Sequence, residues 1–365
     1  MSRKLSYDKT MFGAAMLILV FGLVMIYSAS AMIALQKIGV DNPYHFLIRQ
    51  CLWALGGGAL MFGLMHVDVA RLKLPVVTYS LLGGLVVLLV IVLFQAPING
   101  THRWIVFSRF QLQPSEFAKP VLILFLASYL SQRESRINEL SAGLVPVGLV
   151  VAGVAGLIML QPDFGTAATI VVVSASLVFV AGVSWKRLAI CATAIVPAAV
   201  YLAASADYRR ARLLSFMNPE ADPLGKGFQA MQSLIAIGTG GMHGLGIGNG
   251  RQKLYFLPEP HTDFIFSIIG EELGFIGSLA LLVVFGILVW RGLRVAKMSE
   301  DRFTFYAALG FTMMIAVQVL INVSVALCLL PTKGLPLPLV SYGGSSLLAS
   351  MIAVGILLNL SQQSN

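Results

Sequence analysis

Lys253-Leu-Tyr-Phe-Leu-Pro-Glu-Pro-His-Thr-Asp263 runs directly into Phe264-Ile-Phe-Ser-Ile-Ile-Gly-Glu-Glu-Leu-Gly-Phe-Ile-Gly-Ser-Leu-Ala-Leu-Leu-Val-Val-Phe-Gly-Ile-Leu-Val-Trp290. The second part is apolar over more than the roughly 20 residues a helix needs to cross a bilayer. The first part sets Glu259, His261 and Asp263 within a few residues of the point where that helix begins. Ionisable groups at the edge of lipid are costly and need a reason to be there. Asp263 is the candidate for the group that does chemistry.

Further spans flank this one on both sides. The chain has 365 residues, 58% hydrophobic and only 11% charged, with a mean hydropathy of +0.86. Soluble domains carry about 25% charged residues, so this composition excludes that class. Apolar runs predict an all-α polytopic membrane protein of about ten transmembrane helices in one domain covering 1–365. The predicted spans are 11–35, 46–65, 74–95, 114–131, 143–161, 166–182, 187–204, 264–290, 303–328 and 340–361. Each hides its backbone polar groups within a helix, as hydrocarbon demands. Basic residues in the short loops (Arg71, Lys73, Arg133, Arg136, Arg291, Arg294) place both termini in the cytoplasm. Basic residues ahead of an apolar core, with Ser28-Ala-Ser-Ala31 after it, also suit a cleavable leader. A first span of this length serves equally as an uncleaved start signal.

Cys51, Cys191 and Cys328 all fall in predicted spans, so no disulfide framework or thiolate metal site is implied. The net charge of +9 reflects topology and anionic lipid. No motif points to nucleic acid.

Residues 205–263 form one long outer loop between the seventh and eighth spans. Loops of that length are usually functional or disordered. Phe228-Gln-Ala-Met-Gln-Ser-Leu-Ile-Ala-Ile237 predicts a helical stretch within it. The glycines of 238–250 permit positive φ and close backbone approach. They suit a plain turn or a phosphate contact equally. A second outer loop, 96–113, carries Arg103 and Trp104. The indole suits either an interfacial anchor or a wall for a sugar or headgroup.

The fourth span opens on Pro114-Ser-Glu116-Phe-Ala-Lys119. Proline suits the first helical turn, and Glu116 and Lys119 share a helix face and can pair. Asp163, Asp263, Lys333 and Ser341 fall at the same outer level and predict a polar cavity wall. Asp263 also suits a simple helix N-cap. Glu271 and Glu272, two turns deeper, require an internal partner for at least one of them.

The set Pro114-Ser-Glu-Phe-Ala-Lys119, Gln161-Pro-Asp-Phe-Gly165, Gln232-Ser-Leu-Ile-Ala-Ile-Gly238, Leu257-Pro-Glu-Pro-His-Thr-Asp-Phe264, Glu271-Glu-Leu-Gly-Phe275 and Leu335-Pro-Leu-Pro-Leu-Val-Ser-Tyr-Gly-Gly-Ser-Ser346 resembles the SEDS family of bacterial cell-wall polymerases, which includes RodA, FtsW and SpoVE. The resemblance covers nearly the whole chain. Leu330-Pro-Thr-Lys-Gly334 and Lys253-Leu-Tyr-Phe-Leu-Pro258 lean toward the FtsW branch. It implies a peptidoglycan glycosyltransferase that polymerises lipid II on the outer face of the cytoplasmic membrane, most simply for septal wall. It implies lipid II, the nascent glycan strand, a class B penicillin-binding protein and other divisome or elongasome membrane proteins as partners. Asp263 matches the family's essential aspartate; Trp104, Glu116, Lys119 and Asp163 match positions near its central cavity.

The residues allow a chemical reading as well. A sugar hydroxyl is a weak nucleophile, and Asp263 would take its proton. Lys119, Arg209, Arg212, Lys253 and Lys333 are candidates to stabilise a leaving pyrophosphate. A divalent cation, Mg2+ or Mn2+, could share that work, although no ligand spacing demands one. Arg103, Gln232, Ser233, Glu259, His261 and Ser341 complete the expected substrate-binding set. A single displacement inverts the anomeric centre and needs no second carboxylate nucleophile, unlike retaining glycosidases. The rival readings are a lipid II flippase, a RodA-like elongation polymerase and a noncatalytic scaffold. Transporters often carry internal repeats; none is evident here, and the polar residues gather at one side.

Overall fold

The structure, a computed structural model, describes residues 7–37, 42–98, 100–107, 110–139, 143–187, 189–190, 193, 227–254, 256–331 and 334–363. The long helices are α1 (Lys9–Lys37), α2 (His45–Met65), α4 (Pro75–Leu93), α5 (Pro114–Gln132), α6 (Val145–Leu160), α7 (Phe164–Val180), α9 (Ile265–Met298), α10 (Arg302–Ala326) and α11 (Gly344–Ser361). Between them lie the short α3 (Val69–Lys73) and α8 (Phe228–Gly240). Six helices, α1, α2, α4, α9, α10 and α11, are long and apolar enough to span a membrane. Helices α5, α6 and α7 match the fourth to sixth predicted spans, but α6 and α7 are shorter and α5 carries charge. The seventh predicted span, 187–204, falls almost wholly outside the described residues. The expected count of ten is therefore met at nine positions among the described residues, six of them by length and composition.

Two departures from the expected helices have physical causes. The 96–113 loop contains a β-hairpin, β1 (Ile105–Phe107) with β2 (Phe110–Leu112), paired Ile105 to Leu112. Its strands are three residues each, too short to show a period in sequence. Helix α9 runs to Met298 rather than ending near 290. Arg291, Arg294 and Lys297 end the apolar signal but are good helix formers.

Helix α11 is buried along most of its length and forms the centre of the bundle, with α2, α5 and α10 around it. On the periphery, α2 and α4 leave large apolar side chains such as Leu55, Val76 and Val87 exposed. That arrangement suits lipid outside and close packing inside.

Helix α9 is not continuous. Its 34 residues would extend about 51 Å, well beyond a bilayer core of about 30 Å. Gly274 breaks it, with φ 66° and ψ −164°. Such a conformation is nearly restricted to glycine. At the break, α9 pairs with the glycine-rich segment that follows α8. Phe275 N donates to Gly241 O at 2.9 Å and Ile276 N to Met242 O at 3.2 Å. From the other side, Leu245 N donates to Glu271 O and Gly246 N to Glu272 O. The 238–250 run is thus not a free turn. Its glycines let one backbone lie against another: a Cβ on Gly240 would meet Gly270 O at 1.9 Å.

Glu271 and Glu272 secure this junction. Glu271 accepts from the backbone N–H groups of Arg251 (2.7 Å) and Gln252 (3.1 Å). Glu272 accepts from Lys253 Nζ at 2.6 Å, from Ser28 Oγ of α1 at 2.7 Å and from Gly248 N at 3.1 Å. Lys253 is 5% exposed and Glu272 fully buried. Lys253, expected among the cations for a leaving group, instead neutralises a carboxylate inside the bundle. Removing one partner of such a pair strands a buried charge, at about 3–5 kcal/mol.

Gly274→Ala tests the break. The added Cβ would lie 2.4 Å from Gly244 N and 2.7 Å from Met242 O, and the backbone strain alone costs about 1–3 kcal/mol. The variant is expected to unfold at a lower temperature in detergent and to become protease-sensitive within 241–253. An unchanged midpoint would show that α9 tolerates a regular helix there.

Candidate functional site

The termini lie at one end of the bundle. At the other end, α5, α7, α9 and α11 begin and α10 finishes. Asp163, the turn before α7, is buried and caps that helix by accepting from Thr166 N at 3.2 Å. Its second oxygen accepts from Gln113 Nε2 (3.1 Å) and Ser115 Oγ (3.2 Å). Arg103 donates to Gln161 O at 2.8 Å and also to Pro162 O, so it fastens the 96–113 loop to the α6–α7 turn. Trp104 is half-buried at the foot of the hairpin. Gln113 N donates to Ser345 Oγ of α11 at 2.9 Å.

The expected pairing of Glu116 with Lys119 is present. Lys119 Nζ lies 2.8 Å from Glu116 Oε2, with side chains 1% and 3% exposed. Lys119 also lines a small pocket with Thr169, Ser174 and Met314, between α5, α7 and α10. Its charge is committed to Glu116, one turn inside the helix entrance.

Asp263 stands in the turn before α9, half-buried. It is not the cap of that helix: Phe264 is the N-cap residue, and no side chain caps the N-terminus. Its carboxylate lies against the start of the 334–343 segment, where a Cβ on Gly334 would meet Asp263 Oδ2 at 3.0 Å. The backbone around it is held on several sides. Tyr342 N donates to His261 O at 2.9 Å. Ser341 Oγ donates to Thr262 O at 2.6 Å and accepts from Leu337 N at 2.8 Å. Asn322 Nδ2, from α10, donates to Asp263 O at 3.0 Å and to Leu335 O at 2.8 Å. The His261 ring is buried between Phe46 and Tyr342, with centroids 4.6 and 5.4 Å away. Glu259 points outward, its side chain 67% exposed and 3.9 Å from His261 Nε2.

The structure therefore brings Asp263, His261 and Ser341 together, and joins Asp163, Arg103 and Glu116 at the same end. Ser341 serves the backbone rather than an open cavity. Gln232 and Ser233 sit on α8; Ser233 is buried and bonded to Ser267 Oγ and Ala326 O, each at 2.6 Å. Arg209, Arg212 and Lys333 lie outside the described residues.

Sequence reasoning missed Asn322 and Gln50. Gln50, fully buried on α2, brackets the 341–343 turn: Nε2 donates to Ser341 O (3.2 Å) and Oε1 accepts from Gly343 N (3.3 Å). The available signal was an amide within an otherwise apolar span, where polar side chains face the bundle interior.

Breaking the α5 pair separates structure from substrate use. Lys119→Met strands Glu116 and is expected to cost about 3–5 kcal/mol. Adding Glu116→Gln should restore most of that, measured by thermal unfolding in detergent. A single variant as stable as the parent would mean the pair carries no structural load.

A family model described as a cell cycle protein, covering FtsW, RodA and SpoVE, matches residues 8–365. Stage V sporulation protein E of Bacillus subtilis is 42% identical over 368 residues, covering 100% of this chain and 99% of that protein. A probable peptidoglycan glycosyltransferase FtsW of Trichlorobacter lovleyi is 43% identical over 364 residues, covering 98% and 94%. Among solved structures, a chain from a peptidoglycan synthase complex that coordinates polymerization and crosslinking superposes with TM-score 0.80. It is 34% identical and covers 99% of both chains.

Proposed function

The chain belongs to the FtsW, RodA and SpoVE family, and from that premise we propose how it works as a multi-pass membrane peptidoglycan glycosyltransferase. It polymerises lipid II into glycan strands at the outer face of the bacterial cytoplasmic membrane, with both termini on the cytoplasmic side. The septal role follows the FtsW-like sequence features. A class B penicillin-binding protein crosslinks the product, in keeping with the synthase complex that its structural neighbour comes from.

Asp263 is the general base. The observation that supports this reading is its position: beside Gly334, outside the helix cap, in a turn whose backbone is bonded to two other elements. The acceptor's 4-hydroxyl gives its proton to the carboxylate as its oxygen bonds to the donor's anomeric carbon. The bond from that carbon to the pyrophosphate breaks, and the electron pair leaves with the polyprenyl pyrophosphate. One displacement inverts the centre, so a lone carboxylate suffices. A positioned base contributes about 10²- to 10⁴-fold.

The charge on the leaving group needs cations. Lys119 and Lys253 are already paired with Glu116 and Glu272, and Arg103 is spent on backbone carbonyls. Of the expected cations, Arg209, Arg212 and Lys333 are the ones this reading assigns to the pyrophosphate. Among the described residues, no three His, Cys, Asp or Glu side chains come together to hold a metal.

The test uses purified protein with a class B penicillin-binding protein and lipid II. Asp263→Ala should lose polymer formation by at least about 100-fold while still folding and binding its partner. Normal polymer from that variant would overturn the base assignment. Lipid II crossing the bilayer in proteoliposomes, without polymer in the first assay, would favour a flippase.

A further inference from the structure

We propose that Asn322 is a positioning residue for the transfer reaction, setting the Asp263 carboxylate from inside the bundle. The inference rests on the reading of Asp263 as base. Its basis is a run of three consecutive backbone carbonyls, each held by a different donor. His261 O accepts from Tyr342 N, Thr262 O from Ser341 Oγ and Asp263 O from Asn322 Nδ2. Carbonyls of a turn usually face water; these three face protein.

The three donors are not equivalent. Ser341 and Tyr342 belong to a turn that must itself be held. Asn322 sits on α10, about one turn from its end at Ala326, and is 1% exposed. A side chain on a packed helix is a more rigid reference than one on a loop. Its two N–H groups reach both halves of the site: Asp263 O at 3.0 Å and Leu335 O at 2.8 Å. Leu335 follows Gly334, the residue that lies against the Asp263 carboxylate. One amide therefore fixes the spacing between the carboxylate's own backbone and the wall it faces.

The orientation of the amide follows from its neighbours. Two carbonyls confront it, and only the NH2 end can donate to them. Oδ1 has no hydrogen-bond partner among the described residues. An amide with an unbonded oxygen is an expensive way to fill a helix interface. Its two donor bonds are what distinguish it there from leucine, a side chain of similar size. Displacement of a reacting group by about 1 Å can cost roughly 100-fold in rate. The loss of both donors should therefore appear in turnover rather than in substrate binding.

Asn322→Leu, assayed with the partner transpeptidase and lipid II, is expected to lower kcat by about 100-fold with KM unchanged. Asn322→Ser keeps one hydroxyl donor, enough for one carbonyl, and should fall between. If Asn322→Leu does not fold, Asn322→Ser and Ser341→Ala read the same quantity, each removing part of the clamp. An unchanged kcat in a folded Asn322→Leu or Asn322→Ser variant, or a rise in KM alone, overturns the proposal. Asp263→Ala run beside them separates the two readings. If that variant polymerises normally, the base assignment fails whatever Asn322 does. If it is inactive while Asn322→Leu is normal, only the positioning role fails. In the Asp263→Ala background, Asn322→Leu should cause no further loss of the residual rate; an additional large loss would mean Asn322 acts other than through Asp263.

Discussion

The ion pair between Glu272 and Lys253 governs how the outer part of this molecule is built. A carboxylate with no exposed surface, two turns into a membrane helix, needs a cation or several hydrogen-bond donors, and Glu272 has both. Lys253 is that cation, and it arrives on a chain segment that has come back toward the bundle from α8. Because the pair must close, 248–253 lies against α9. Because that segment lies there, the remaining residues up to Asp263 have little freedom. The break at Gly274 is the complementary requirement: the returning backbone needs a helix that gives up two rungs of its own ladder.

The same economy applies to the other charges. Glu116 answers Lys119, Arg103 answers two carbonyls, and Asp163 answers a helix terminus and two side chains. Asp263 differs in that it caps no helix and forms part of a turn pinned from α10 and from the turn that α2 braces through Gln50. An enzyme that works at the end of a bundle needs such a distinction. Charges committed to structure hold the frame, and the turn that carries Asp263 is fixed through its backbone.

Much of the frame was legible in the sequence, since lipid admits few solutions. Apolar runs marked nine helices among the described residues, and the i,i+3 spacing of Glu116 and Lys119 marked their pair. Two adjacent glutamates in a span signalled a buried partner without naming it. The hairpin at 105–112 was not legible, because three-residue strands leave no period. The extent of α9 was misjudged because arginine and lysine end a hydropathy signal but not a helix. The pairing of Lys253 with Glu272 was not legible, because sequence gives a charge without its neighbour.

Local chemistry alone determined that this chain crosses a membrane many times and that its ionisable side chains in the spans need partners or work. Those are properties of single residues against hydrocarbon, and they survive without knowledge of the fold. Which lysine meets which glutamate, and which amide grips the turn before α9, was decided only by packing. Asn322 and Asp263 are far apart along the chain, and their contact depends on α9 and α10 lying side by side. Bonds of that kind have no signature in either residue's own surroundings, so tertiary structure alone could assign them.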